Sequence, residues 1–104
     1  SGEYLDLMNV NAGWTKIPDM STERGGLGVA VGDGKLFAVG GWDGFHKKKS
    51  GEYLDLMNVN AGWTKIPDMS TERGGLGVAV GDGKLFAVGG WDGFHKKKSG
   101  EYLD

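Results

Sequence analysis

Apolar and polar residues alternate along this chain in short runs, and glycine separates the runs. Over Gly26–Gly32 (GLGVAVG), Leu27, Val29 and Val31 stand against Gly28 and Ala30. That period of two predicts a strand with one bulky face and one nearly bare face. Asp33-Gly34 is a two-residue hairpin signal, because both residue types accept the backbone angles of a tight turn. Lys35–Val39 (KLFAV) supplies the returning strand and ends at Gly40-Gly41. A longer loop, Trp42–Lys49, leads to a third predicted strand over Gly51–Met57 (GEYLDLM), and an asparagine-rich turn leads to a fourth over Gly62–Ile66 (GWTKI). Pro67 closes the series. Proline offers no N–H to a ladder, so the fourth strand belongs at an edge, the outermost of a four-stranded meander.

This pattern is written twice. Residues 1–49 recur without substitution as residues 50–98, and Ser99–Asp104 (SGEYLD) starts a third copy. A four-stranded antiparallel unit repeated in tandem predicts an all-β propeller built of blades. Natural repeats drift, because surface positions tolerate change at little energetic cost. Perfect identity therefore points to an engineered sequence, a consensus or de novo design, or to a very recent duplication, and design is favoured.

Several spaced residues give the unit a family resemblance. Gly40-Gly41 follow an apolar strand, then come Asp43-Gly44, Tyr53 and, ten residues later, Trp63, with Met69 and Arg73 in MSTERGGLGVAV. The unit resembles the Kelch motif over essentially the whole chain, and its 49-residue period is near the ~50 residues of Kelch blades. The resemblance implies that the Leu27–Val31 strand lies innermost, beside a central channel. It also implies that the paired glycines, Tyr53 and Trp63 pack within and between blades. Glu23 and Glu72 depart from the family, many of whose members carry proline before the arginine; these are read as surface choices.

The blade boundaries divide the chain unevenly. Residues 1–25 hold the outer strands of one shared blade, 26–69 a complete blade, 75–98 the inner strands of another shared blade, and 99–104 a partial third repeat. Propellers close with about four to eight blades, so two blade-equivalents leave apolar faces without a neighbour. Leaving such side chains wet forgoes about 1.5–3 kcal/mol each, comparable in sum to the stability of a small domain. Self-association is the simplest relief, with inner strands of one copy pairing with outer strands of the next in a heterologous ring. Since Kelch propellers most often have six blades, a homotrimer is expected first, then a homotetramer, then a homodimer. The tail complicates this. Ser99–Asp104 duplicates Ser1–Asp6, so two segments claim one strand position, and either one of the two copies frays or the tail displaces the incoming N-terminal strand.

Composition adds mostly exclusions. Each unit holds six acidic and six basic residues, and the net charge of −2 comes from Glu101 and Asp104. A neutral unit disfavours nucleic acid as a partner. The acidic start SGEYLDLMNV lacks a secretion pattern, and no apolar run approaches the roughly 18 residues of a membrane span. The compartment stays open. There is no cysteine, which excludes disulfides and the tyrosine–cysteine chemistry of copper oxidases built on Kelch propellers. No nucleophile–base pair or metal-ligand set stands out, so neither an enzyme nor a cofactor is expected.

Two groups remain as candidate sites. The first is the loop cluster Trp42, Phe45, His46, Lys47, Lys48 and Lys49, with its copy Trp91, Phe94, His95, Lys96, Lys97 and Lys98. Aromatics beside cations suit weak acidic partners, a protein or a polyanion. The competing readings are a solvated, solubilising loop and aromatics folded back as packing. The second comprises Arg24 and Arg73, just before each innermost strand, as channel-side residues with a structural or ligand role.

Overall fold

Backbone angles fix where each strand begins and ends. The computed structural model describes residues 2–104; Ser1, the first residue of the expected 1–25 segment, lies outside them. The described residues form β1 (Gly2–Leu5), β2 (Trp14–Ile17), β3 (Gly28–Gly32), β4 (Lys35–Val39), β5 (Gly51–Asp55), β6 (Trp63–Ile66), β7 (Gly77–Gly81), β8 (Lys84–Val88) and β9 (Gly100–Leu103). β3 starts later than the alternation suggests, because Gly26 takes a left-handed φ of 59° that breaks the pleat. β5 ends at Asp55, not Met57. Asp55 Oδ1 accepts a hydrogen bond from the Met57 N–H at 2.9 Å, and this local turn diverts the chain into a short 3-10 turn at Val59–Ala61. Asp33 and Asp82 hold φ of 57° and 51° in the two hairpins, as an Asp-Gly turn requires.

The complete blade is the antiparallel sheet β3-β4-β5-β6, in chain order, with β6 at the outer edge. β1 and β2 form a two-stranded sheet in the register of β5 and β6: Gly2 pairs with Ile17 as Gly51 pairs with Ile66. β7 and β8 form a sheet with β9, which is the tail. Val88 pairs with Gly100 as Val39 pairs with Gly51, so the tail occupies the third-strand place on its own chain.

Register assigns each side chain to a face. Val29, Ala38 and Glu52 are cross-strand neighbours on the first face, together with Val31, Leu36, Leu54 and Trp63. Gly28, Val39 and Gly51 lie on the second face, with Ala30, Phe37, Tyr53 and Ile66. The core forms where the first face of the β7–β9 sheet meets the second face of the complete blade. Val39, Leu76, Leu85 and Ala87 are buried there, with Phe37, Ile66, Val78 and Val80 packed around them.

The bare face predicted over Gly28–Gly32 has its explanation at this junction. A Cβ at Gly28 would collide with Val78 Cγ2, and one at Gly32 with Val80 Cγ1. The bulky residues of one first strand thus seat on the glycines of its neighbour. The radius of gyration is 14.1 Å, slightly above the ~13 Å expected of a self-contained domain this size.

Candidate functional site

The most elaborate polar cluster is centred on Arg24 and Arg73. Each precedes a first strand, and each is buried, at 9% and 1% exposure. Arg24 Nη1 donates to the carbonyls of Gly40 (3.0 Å) and Ser50 (2.8 Å), and Nη2 donates to Ser50 Oγ and Glu52 Oε2. Glu52 in turn accepts from the N–H and hydroxyl of Ser21, both at 3.0 Å. One ion pair thereby ties the linker before β3 to β4 and β5. Arg73 repeats the arrangement with Gly89, Ser99 and Glu101 at 2.8–3.2 Å, and Ser70 bonds Glu101 as Ser21 bonds Glu52. Both guanidinium heads are thus engaged within the chain; each Nε remains without a partner.

Burial works against the charge on Glu101, but hydrogen bonds from the Ser70 backbone and hydroxyl and from Arg73 outweigh it and hold the pKa below the ordinary value. A depressed carboxyl contributes stability above its unfolded pKa and loses it as pH falls through the folded value. The tail's anchor is therefore weakened by acid. Sequence reading missed Glu52 and Glu101, although a signal was present. Glu52 shares its face with Leu54 two residues on, so it points into a core and needs a buried cation as partner.

A second set of contacts joins one repeat to the next. Gly41 N–H donates to Arg73 O at 2.9 Å, and Gly75 N–H to Gly26 O at 2.6 Å. Trp63 Nε1 donates to Pro18 O at 2.8 Å, linking β6 to the end of the preceding sheet. Gly40, at φ 70°, lies so near Arg73 O that no Cβ fits, while a Cβ at Gly41, at φ 95°, would lie 2.9 Å from Gly25 O in its own blade. The missing side chain of the first glycine makes room for the next repeat, while the second glycine lies close against its own blade and sends its N–H across the junction.

The junction continues into the rim loops. Asp43 Oδ1 accepts from the N–H groups of Phe45 and His46, and its other oxygen pairs with Lys48 Nζ at 2.8 Å. Lys48, with the two N–H groups, holds the Asp43 carboxyl well below the usual range. At Asp92 the His95 and Phe94 N–H groups, then Lys97 at 3.0 Å, do the same. Lys47 reaches from its own loop to the next: its Nζ lies 4.6 Å from the Trp42 ring centre and 4.4 Å from that of Trp91. A cation between two indoles is a packing element across the junction. Phe45 and Phe94 stay outside it, 86% and 87% exposed, with His46, His95, Lys49, Lys96 and Lys98 also outward. A groove of about 420 Å³ between the loops is lined by Trp42, Phe45, Lys47, Trp91 and Phe94. The structure therefore divides the predicted loop cluster: Trp42, Lys47 and Trp91 meet, Lys48 and Lys97 are paired, and the remainder face solvent.

Among the described residues no group of three or more His, Cys, Asp or Glu is placed to hold a metal ion. No helix among the described residues is long and apolar enough to cross a membrane. The Kelch motif family matches the chain over residues 23–70 and again over 72–104. No curated protein matches it.

Proposed function

The chain belongs to the Kelch-repeat family, and from that premise we propose that it is a self-assembling structural scaffold whose copies complete one another's blades into a symmetric propeller. Kelch motifs suggest a propeller scaffold or a protein-binding module. One observation favours the scaffold: the chain contains one whole junction between repeats and presents the two halves of that junction, unoccupied, on its outward faces.

The halves correspond group by group. Inside the chain, Gly41 N–H meets Arg73 O and Gly75 N–H meets Gly26 O. On the outward faces Gly90 N–H, Arg24 O, Gly26 N–H and Gly75 O make no such bond. A Cβ at Gly32 is blocked by Val80, whereas one at its copy Gly81 meets nothing within 4 Å, and Val31, the copy of Val80, is 64% exposed. A second copy set against the first by the internal rule joins all of these. Its two outer strands and the first copy's inner strands then make one blade. A gap of about 540 Å³, lined by Gly2, Ile17, Val29, Leu36, Ala38 and Trp63, lies where the inner strands of another copy would enter. The contact is heterologous, so it closes into a ring when the rotation per junction allows. The six-bladed homotrimer is the expected ring, and the perfect repeat accords with a designed symmetric protein.

Solution mass measured by light scattering across a wide concentration range tests this. A discrete species at three times the 11.1 kDa chain mass supports the six-bladed ring, and four or two times changes the blade count. A monomer at every concentration, or an open ladder of sizes, overturns the proposal.

A second reading rests on Phe45 and Phe94, which remain exposed where every other loop aromatic is packed against Lys47. With Lys49 and Lys98 they form a rim suited to an acidic protein or polyanion. Titration with a heparin-like polyanion at two salt concentrations tests it. Binding that is absent at low salt, or indifferent to salt, overturns it.

A further inference from the structure

Two identical segments of the chain compete for one site. The free edge of β8 and the guanidinium of Arg73 together receive a third strand, and β9 occupies them within the chain. β9 and β1 have the same sequence, GEYL, and Glu101 in β9 corresponds to Glu3 in β1 and Glu52 in β5. Resting on the proposed self-assembly, we infer that the tail Ser99–Asp104 is a built-in competitor of assembly: it holds the place that β1 of a second copy must take, and copies join by strand exchange.

The two claimants are unequal in instructive ways. Docked, the tail leaves the ion pair incompletely covered: Glu101 is 27% exposed in its side chain, against 1% for Glu52. The difference is the fourth strand. β6 flanks β5, whereas no described strand flanks β9. A hairpin from a second copy brings β2 with β1, so it covers the pair as Glu52 is covered and adds the Trp14 indole, which is 65% exposed in the isolated chain. The tail makes fewer contacts but is tethered beside its site, at an effective concentration of about millimolar order. A tethered weak strand and a free strong hairpin exchange at a threshold concentration, and the Arg73–Glu101 pair sets where that threshold lies.

Sequence-equivalent positions then have opposite effects. In the full chain, Glu101→Ala weakens the resident tail and leaves Glu3 to pair with Arg73, so the midpoint concentration for assembly falls by roughly tenfold, the size expected for charge-assisted hydrogen bonds. Glu3→Ala weakens the incoming strand and raises the midpoint by a similar factor. Light scattering over a dilution series reads both. Hydrogen exchange on the unaltered chain gives a second readout: amides of Gly100–Leu103 lose protection on assembly while those of Gly2–Leu5 gain it. Assembly in which the tail keeps its protection, or in which Glu101→Ala weakens association, overturns the competition and makes the tail part of the assembled interface. Failure of all three chains to associate at any concentration overturns the scaffold reading itself, and the competition with it.

Discussion

Val39 and Val88 occupy the same place in identical repeats, yet Val39 is 2% exposed and Val88 is 56% exposed. The first lies at the junction inside the chain and the second on an outward face. Similar pairs recur. Glu52 is buried and Glu3 exposed; Lys47 sits between two indoles, whereas Lys96 faces solvent. The backbone shows no such contrast. Gly40 and Gly89 have φ of 70° and 71°, Gly41 and Gly90 95° and 94°, and Gly44 and Gly93 100° and 102°. Blade conformation is therefore set within each repeat, by turn chemistry and pleat, while burial is set by whichever repeat stands next to it. Separating these two levels is possible here because sequence is held constant between them.

The largest test of this contrast uses the buried ion pair. Glu52→Ala leaves Arg24 charged and unpaired in the interior, and urea unfolding of the dispersed chain should show a loss of about 3–5 kcal/mol. Glu3→Ala should leave the unfolding curve of that dispersed chain essentially unchanged; an equal loss at both positions would mean that β1 already has a hidden partner. A smaller effect is expected at the glycines. Gly28→Ala forces a methyl into Val78 and should cost about 1–3 kcal/mol in the same assay. Gly77→Ala has room in the single chain and should cost nothing there, but it should block association measured by light scattering. The smallest effect is at the rim. Lys47→Ala removes a cation held between two rings and should lower thermal stability by about 1 kcal/mol, while Lys96→Ala should not alter the melting of the dispersed chain.

Much of the blade was legible because its signals are local. The alternation of Leu27, Val29 and Val31, the Asp33-Gly34 turn and the position of Pro67 each speak for neighbouring residues, and all four strands of the complete blade form in the expected order. Strand ends were less legible. A side-chain turn at Asp55 and a left-handed Gly26 outweigh the apolar pattern that ran past them. The junction was the hardest to read. Lys47 looked like one cation in a basic run, and only the arrival of Trp91 from the next repeat makes it a packing residue. The destination of the tail was equally hidden, since identical segments carry no mark that says which of two equivalent edges each will take.

The glycine-on-valine contact has a geometric consequence. On the second face of the blade, the first strand offers Gly28, Ala30 and Gly32, and the second strand offers Phe37 and Val39. Side-chain bulk therefore increases from β3 outward, so adjacent sheets close up at β3 and β7 and are held apart further out. Two such sheets form a wedge instead of a parallel stack. If each junction repeated this geometry, blades added by the proposed rule would fan around an axis on the glycine side. Enlarging those few small residues would flatten the wedge, converting a curved array into a straight one without altering a single strand.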